Sequence, residues 1–266
     1  MIKVILARLQ QKHRTMAYPA GAPPALPDRF RGAPMIATAT CPAGCHACAD
    51  ACPTGALALN DPAHLDLGKC LFCPECANAC PQHAITHSGN YQLAARRRQD
   101  LIVARDRQAV EVAGAALSDR LKKLLGRSLQ LRQVSAGGCA ACEADTNVLN
   151  TVGWDLSRFG IQFVASPRHA DGLLVTGPVS KNMALALQKT YDAVSDPRLV
   201  IAVGACAISG GPYIDHAQVS NGVAAILPVD LYIPGCPPHP LTILDGLLRL
   251  TGRLADGPHH HTLPAP

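Results

Sequence analysis

The stretch LQLRQVSAGGCAACEAD, residues 129–145, decides the fold of the larger part of this chain. Residues 129–134 form a short run typical of a β-strand, and a helical pattern begins near Glu143. Two glycines and a C-x2-C pair, Cys139 and Cys142, lie between these elements. A strand, a glycine-rich loop and a helix in that order are typical of the first unit of an α/β domain.

The same alternation continues to the end of the chain. Mostly continuous apolar runs predict four more strands, as expected where a parallel sheet is covered on both faces; they lie at 161–166, 172–177, 198–204 and 229–235. Helical patterns lie between or after them, at 143–152, 180–194 and 238–251. Residues 128–256 are therefore predicted to form a doubly wound, parallel-sheet, flavodoxin-like domain.

Four cysteines of this domain each follow a predicted strand: Cys139, Cys142, Cys206 and Cys236. The carboxyl ends of parallel strands share one edge of a sheet, so these four thiols are expected to meet there. Flanking glycines let the backbone approach a bulky group. Two alternatives are buried core cysteines at 206 and 236, and a redox dithiol at the C-x2-C pair.

The other eight cysteines lie within residues 35–92 as a duplicated motif. The second copy is Cys70-x2-Cys73-x2-Cys76-x3-Cys80-Pro81, which is the spacing of bacterial ferredoxins, and the first copy carries one extra residue after Cys41. This predicts an α+β ferredoxin-like domain with two 4Fe–4S clusters. The fourth cysteine of each run is expected to cross to the other cluster, which gives the sets Cys41, Cys45, Cys48, Cys80 and Cys70, Cys73, Cys76, Cys52. Structural zinc is the alternative, although this spacing crowds sulfurs for a tetrahedral site.

Composition limits the functional classes. Twelve cysteines in a chain without an evident secretory signal are expected to be ligands in a reducing cytoplasm rather than disulfides. The formal net charge is +5, and three oxidised clusters at roughly −2 each would bring it to about −1. Scattered basic residues and few aromatics argue against a nucleic-acid binder, and no apolar run is long enough for a transmembrane helix.

Three further segments are predicted. Residues 1–34 form an arm, with a basic amphipathic helix followed by a proline-rich stretch, which is expected to dock on an integral membrane subunit or lie on a membrane surface. Residues 93–127 are predicted to be a helical linker, and 257–266 a tail.

Four motifs carry a resemblance to a known family: GGCAACEAD, SPRHADGLLVTGPV, GACAISGG and YIPGCPPHP. Residues 117–252 resemble the small subunit of membrane-bound nickel–iron hydrogenases of the formate hydrogenlyase and energy-converting type, which is related to a complex I subunit. Residues 1–105 resemble the two-cluster ferredoxin-like subunit of the same complexes. The chain is thus interpreted as a fusion of two neighbouring subunits.

The resemblance implies an oxidoreductase subunit that relays electrons. Three 4Fe–4S clusters would connect a formate dehydrogenase partner or a ferredoxin to the nickel–iron site of a separate large subunit. The cluster of the α/β domain would be the proximal one, held by Cys139, Cys142, Cys206 and Cys236. Such a complex is expected on the cytoplasmic side of the cell membrane, with this chain bound peripherally.

The alternatives are a complex I-like quinone oxidoreductase and a related complex without hydrogen turnover. By the resemblance, C-x2-C spacing favours the hydrogenase branch, because complex I carries adjacent cysteines there. Ala140 and Ala141 replace the usual Asn-Gly of the family.

Glu143 follows the second thiol of the pair. It is a candidate for proton transfer near the subunit interface. The alternative is an acidic residue placed at a helix N-terminus, where the helix dipole favours it.

Overall fold

The computed structural model describes residues 2–12, 14–37, 40–42, 44–59, 64–104 and 128–254. The tail predicted over 257–266, and residues 105–127 of the predicted helical linker, lie outside the described residues.

The N-terminal half begins with helix α1 (Ile2–Gln11), in which no residue is buried. The cysteine-rich part then folds as two copies of strand, short helix and strand. The first copy is β1 (Pro34–Ile36), α2 (Ala47–Asp50) and β2 (Leu57–Ala58), and the second is β3 (His64–Asp66), α3 (Glu75–Asn78) and β4 (Ile85–His87). Strand β1 pairs antiparallel with β4, and β2 with β3, so the two sequence repeats interlock as a pair.

The described part of the predicted helical linker is not α-helical. Residues 98–101 form a 3-10 turn, and β5 (Ile102–Ala104) extends the β2–β3 ribbon by pairing antiparallel with β3. Burial alternates along this segment: Leu101 and Val103 are buried against the cysteine-rich part, while Ile102 between them is exposed. This period of two favours a strand over a helix.

The C-terminal half is built on a five-stranded sheet in which all strands are parallel. Its strands are β6 (Leu129–Ser135), β7 (Ile161–Phe163), β8 (Gly172–Thr176), β9 (Leu199–Val203) and β10 (Leu231–Ile233). Their order is β10-β9-β8-β6-β7, which is the flavodoxin-like order with its switch point between the first and third strands of the domain. The predicted parallel α/β sheet is confirmed.

Helices connect or follow these strands: α4 (Ala141–Val148), α5 (Lys181–Asp192), α6 (Ala205–Ser209) and α7 (Pro240–Leu250). Every residue of α7 is buried. Apolar leucines of α7 pack on the sheet, while Asp245 and Arg249 form a buried ion pair of 2.8 Å. No described helix has the length and apolar character needed to cross a membrane.

Residues just after β4 join the two halves. Ala95 and Tyr232 exchange two backbone hydrogen bonds of 2.9 and 2.8 Å, so the chain pairs beside the edge strand β10. A Cβ on Gly246 of α7 would lie 2.9 Å from the Cβ of Ala94, which shows how closely the backbones approach. The two halves therefore lie against each other rather than on a loose linker.

Candidate metal centres

The four cysteines of the α/β half meet at the carboxyl edge of its sheet. Cys139 and Cys142 lie in the loop after β6 and the first turn of α4, Cys206 lies in α6, and Cys236 follows β10. The thiol of Cys142 is close enough to those of Cys139, Cys206 and Cys236 for their charges to interact. The structure thus brings together the residues predicted from three separate strand ends.

Backbone hydrogen bonds fix the loops that carry two of these thiols. Gly204 donates to the carbonyl of Ile233 and Ala205 to that of Gly235, both at 2.8 Å. Because the loop after β9 is fastened to the loop after β10, Cys206 and Cys236 are held on one side of the site.

Glycine is required where the backbone meets the sulfurs. A Cβ on Gly204 would lie 2.5 Å from Sγ of Cys142, and one on Gly211 would lie 2.9 Å from Sγ of Cys206. Both glycines have a positive φ, +91° and +55°, a conformation that L-residues rarely adopt. These glycines leave the sulfurs the room that a side chain would fill.

Burial and the repulsion between neighbouring sulfurs favour the protonated forms of Cys142 and Cys206, because both raise the pKa of these thiols. Burial, followed by the nearby Cys236, raises the pKa of Cys206 to about 11, and burial, followed by the nearby Cys206, raises the pKa of Cys142. Metal ligation needs thiolates, so bound iron would replace the protons and supply the compensating positive charge. Cys139 and Cys236 are exposed, which leaves one side of the site open toward solvent or a partner.

The residue between the paired cysteines adopts a strained conformation. Ala140 has φ +68° and ψ 1° in the left-handed region and caps α4. Left-handed backbone is unfavourable for alanine and easier for glycine or asparagine. The Asn-Gly expected from the resemblance would relieve this strain, and alanine retains it.

In the N-terminal half, the structure groups the other eight cysteines into two sets. One hollow is lined by Cys41, Cys45, Cys48 and Cys80, and a second by Cys52, Cys70, Cys73 and Cys76. In each hollow, three cysteines come from one sequence repeat and the fourth comes from the other. Despite the extra residue after it, Cys41 lies with its expected partners.

Backbone amides donate to the sulfurs of these two sets. Ala56 N–H donates to Sγ of Cys52 (3.2 Å), Phe72 N–H to Cys70 (3.3 Å), and Ala84 N–H to Cys80 (3.3 Å). Hydrogen bonds of this kind stabilise thiolates and influence the reduction potential of a cluster. Burial raises the pKa of Cys70 to about 12 and that of Cys76 to about 11.

The donor chemistry of the three sets fits 4Fe–4S clusters, because each set offers four cysteine sulfurs with amide donors or glycines beside them. Among the described residues, no three His, Cys, Asp or Glu side chains converge tightly enough to hold one metal ion.

The three sets follow one another through the molecule. Cys48 of the first set lies close enough to Cys76 of the second for their charges to interact. Cys73 of the second set is likewise close to Cys236 of the α/β half. The second set therefore lies between the other two.

Glu143 is held by hydroxyl groups at the ends of two strands. Its Oε1 accepts hydrogen bonds from Ser135 (2.5 Å) and Thr176 (2.7 Å). Sequence reasoning missed both hydroxyls, because their position beside Glu143 depends on the pairing of β6 with β8.

A cavity of about 260 Å³ lies between the two halves beside Cys236. Residues of the proline-rich segment line one wall, and Asp145 and His239 contribute polar groups. Burial raises the pKa of Asp145 and lowers that of His239, so both groups favour their neutral forms. No sequence pattern predicts this cavity, because its walls come from segments far apart in the chain.

Comparison with known proteins identifies the α/β half. Residues 139–250 match the family described as "NADH ubiquinone oxidoreductase, 20 Kd subunit". An NADH-quinone oxidoreductase subunit of Symbiobacterium thermophilum is 39% identical over 148 residues, which cover 55% of this chain and 81% of that protein. The probable membrane-bound hydrogenase subunit mbhJ of Pyrococcus furiosus is 39% identical over 136 residues, or 51% of this chain and 81% of that protein.

Among solved structures, the membrane-bound sulfane sulfur reductase, an archaeal respiratory membrane complex, contains a chain with 33% identity. The match covers 53% of this chain and 80% of that one, with a TM-score of 0.45.

Proposed function

This chain belongs to the family of the 20-kilodalton subunit of NADH ubiquinone oxidoreductase, and we propose that it is an electron-relay subunit whose twelve cysteines hold three 4Fe–4S clusters. Such clusters supply one-electron transfer when bound. The N-terminal half would be a ferredoxin-like domain fused to the family domain, with boundaries near residues 35 and 128.

The observation that carries this proposal is the order of the three cysteine sets. Cys48 approaches Cys76, and Cys73 approaches Cys236, so the sets form a row that ends at the α/β set, where Cys139 is exposed. A row of redox sites that ends at an open surface is the arrangement a relay needs. Electrons would enter at the first set, and a large subunit would cover the exposed end.

The residues around each set would fix the thiolates and limit access of water. Interlocked strands hold the first two sets between the sequence repeats, and the hollows are lined with apolar side chains such as Ile36 and Leu57. Amide donors at Ala56, Phe72 and Ala84 favour the charged sulfurs. The glycines at 204 and 211 let backbone lie against the third set.

We place the final acceptor at the nickel–iron site of a hydrogenase-type large subunit. The C-x2-C spacing of Cys139 and Cys142 supports this choice. A quinone is the second candidate, because the NADH-quinone oxidoreductase relative is as similar to this chain as the hydrogenase relative. A formate dehydrogenase partner or a ferredoxin would be the donor.

Helix α1 would dock on an integral membrane subunit and keep the chain at the cytoplasmic face. Its apolar side chains are unusually exposed to solvent, with Ile2 74% and Leu9 68% exposed. Lys3 and Arg8 add positive charge, and the first turn of the helix contains no acidic residue. Deleting residues 2–11 is expected to release the chain from washed membranes while its iron content stays unchanged.

The test is metal analysis of the complex purified without oxygen. About 12 Fe per chain are expected, and Cys206→Ser should remove about four together with one electron paramagnetic resonance (EPR) signal. Cys45→Ser should remove a different signal. Zinc in place of iron would refute the proposal, while nickel in the complex separates the hydrogenase from the quinone reductase.

Glu143 is proposed to transfer protons near the open end of the relay. Glu143→Gln keeps the size of the side chain but cannot carry a proton as a carboxyl does. Turnover should fall while cluster signals stay the same, with Asp192→Asn, the same carboxyl-to-amide change at an exposed position at the end of α5, as the control. Unchanged turnover would refute the proton-transfer role, and Glu143 would then have only a structural role through its hydrogen bonds with Ser135 and Thr176.

A further inference from the structure

The segment of residues 14–33, which we call the strap, is fastened at its first end to the α/β half. The guanidinium of Arg158 donates to the carbonyls of Met16 (2.5 Å) and Tyr18 (2.6 Å). The Tyr18 hydroxyl donates to the buried Asp245 of α7 at 2.9 Å. This end of the strap therefore moves with the domain that carries Cys236.

The other end of the strap is fastened to the cysteine-rich half. Gly32 N–H donates to the carbonyl of Ser88 (2.8 Å), and Ser88 N–H donates to that of Ala33 (3.0 Å). No side chain fits at Gly32, because a Cβ there would lie 2.4 Å from the carbonyl oxygen of Asn90. The strap thus connects both halves by specific contacts.

Arg31 extends from this end to the loop that carries the second cysteine set. Its Nε donates to the carbonyl of Phe72 at 2.7 Å. Phe72 lies between Cys70 and Cys73, its own N–H donates to Sγ of Cys70, and its φ of +55° is left-handed. Backbone in this region is strained for phenylalanine and persists only where surrounding contacts hold it. The hydrogen bond from Arg31 is one of those contacts.

The loop held by Arg31 faces the α/β half across the cavity described above. Arg31 and Phe72 line one wall, and Cys236 and His239 line the other. Cys73, next to Phe72, is the residue of this loop whose charge reaches Cys236. The position of the loop therefore sets the separation between the second and third cysteine sets.

We propose that Arg31 is a positioning residue for electron transfer between the second and third cysteine sets, acting through the carbonyl of Phe72. This rests on the proposed relay function and adds to it a specific role for the strap. The strap is anchored on the domain that carries Cys236, and it ends on the loop that carries Cys73. It therefore holds both sides of the space between the second and third cysteine sets. Arg31 acts through the position of the backbone at Phe72 and not through a bond to the sulfur of Cys73 or Cys236.

The test compares Arg31→Met with Arg29→Met in the complete complex. Arg29 lies on the same strap and lines the same cavity, so both changes remove one positive charge from that wall. Arg31→Met should make amide hydrogen exchange at residues 71–73 about tenfold faster, because a contact that holds this loop is lost. Transfer from the second to the third set should slow measurably, because electron tunnelling weakens as the separation between two redox sites grows.

Two control variants and a second measurement complete the test. Arg29→Met should match the wild type in exchange, and Arg31→Lys should lie between the wild type and Arg31→Met. The magnetic coupling between the two reduced clusters, measured by EPR, should weaken most in Arg31→Met, less in Arg31→Lys and not in Arg29→Met. If both Arg31 variants match Arg29→Met in exchange and coupling, the positioning role is refuted.

Iron content separates this inference from the proposed function. A wild-type complex without about 12 Fe per chain would refute the relay itself. Full iron and three EPR signals in the wild type, with no effect of the Arg31 variants, would leave the relay intact and remove only the role of Arg31. If Arg31→Met loses iron, the role of Arg31 is judged from Arg31→Lys, by its amide hydrogen exchange at residues 71–73 and by the magnetic coupling between its clusters.

Discussion

Replacing Gly204 with alanine tests the backbone packing around the third cysteine set. The added Cβ would lie 2.5 Å from Sγ of Cys142, whereas real Cβ atoms essentially never approach below 3.0 Å. The sulfur or the backbone must therefore shift by at least about 0.5 Å, while metal–ligand distances tolerate only about 0.2 Å. The backbone at φ 91° and ψ 156° adds a cost, about 1–3 kcal/mol for a side chain in this region.

The assay is iron content with EPR on the complex purified without oxygen. Gly204→Ala should lose about four Fe per chain and the signal of the third cluster, while the signals of the other two remain. Gly153→Ala is the matched control, since a Cβ there meets nothing within 4 Å and its φ is not positive. This control should keep all the iron.

A Gly204→Ala complex with full iron and wild-type stability would refute the reasoning. It would mean that Cys142 is not a ligand, or that the loop after β9 yields more easily than its hydrogen bonds to Ile233 and Gly235 suggest. Gly211→Ala is a milder version of the same change, because its Cβ would lie 2.9 Å from Sγ of Cys206. This variant should therefore lose less iron than Gly204→Ala.

Three other changes test packing and strain, each by denaturant unfolding without oxygen. Ala140→Gly should stabilise the chain by about 1 kcal/mol, because glycine adopts the left-handed φ of +68° without strain; no gain would contradict the strain. Tyr18→Phe should cost about 1–3 kcal/mol, since it removes a hydrogen bond to the buried Asp245; an unchanged midpoint would argue against the anchor. Leu244→Ala, at a fully buried position, should cost about 2–5 kcal/mol, whereas Leu185→Ala, 65% exposed, should change stability by less than about 0.5 kcal/mol; equal effects would contradict the packing of α7.

The α/β half was predictable because its signals are local and repeated. Strand-like patterns marked all five strands, four of them as mostly continuous apolar runs, and the structure places each within or close to its predicted bounds. The linker was less predictable. Its described residues, 93–104, pair with strand β3 of the cysteine-rich half and with the edge strand β10. No pattern in residues 93–104 predicts that they pair with these two strands.

Sequence alone determined which residues are candidate ligands. Cysteine spacing restricts which thiols can converge from one loop, and strand ends of a parallel sheet share an edge, so the three sets followed from spacing and periodicity. These are properties of short segments and of the general geometry of sheets.

Only the tertiary structure decided how the sets lie relative to one another. That Cys73 faces Cys236, that Ser135 and Thr176 hold Glu143, and that Arg31 bonds to Phe72 all depend on contacts between segments far apart in the chain. The physical reason is that such contacts arise from the packing of the two halves and the strap as a whole, which local patterns do not encode.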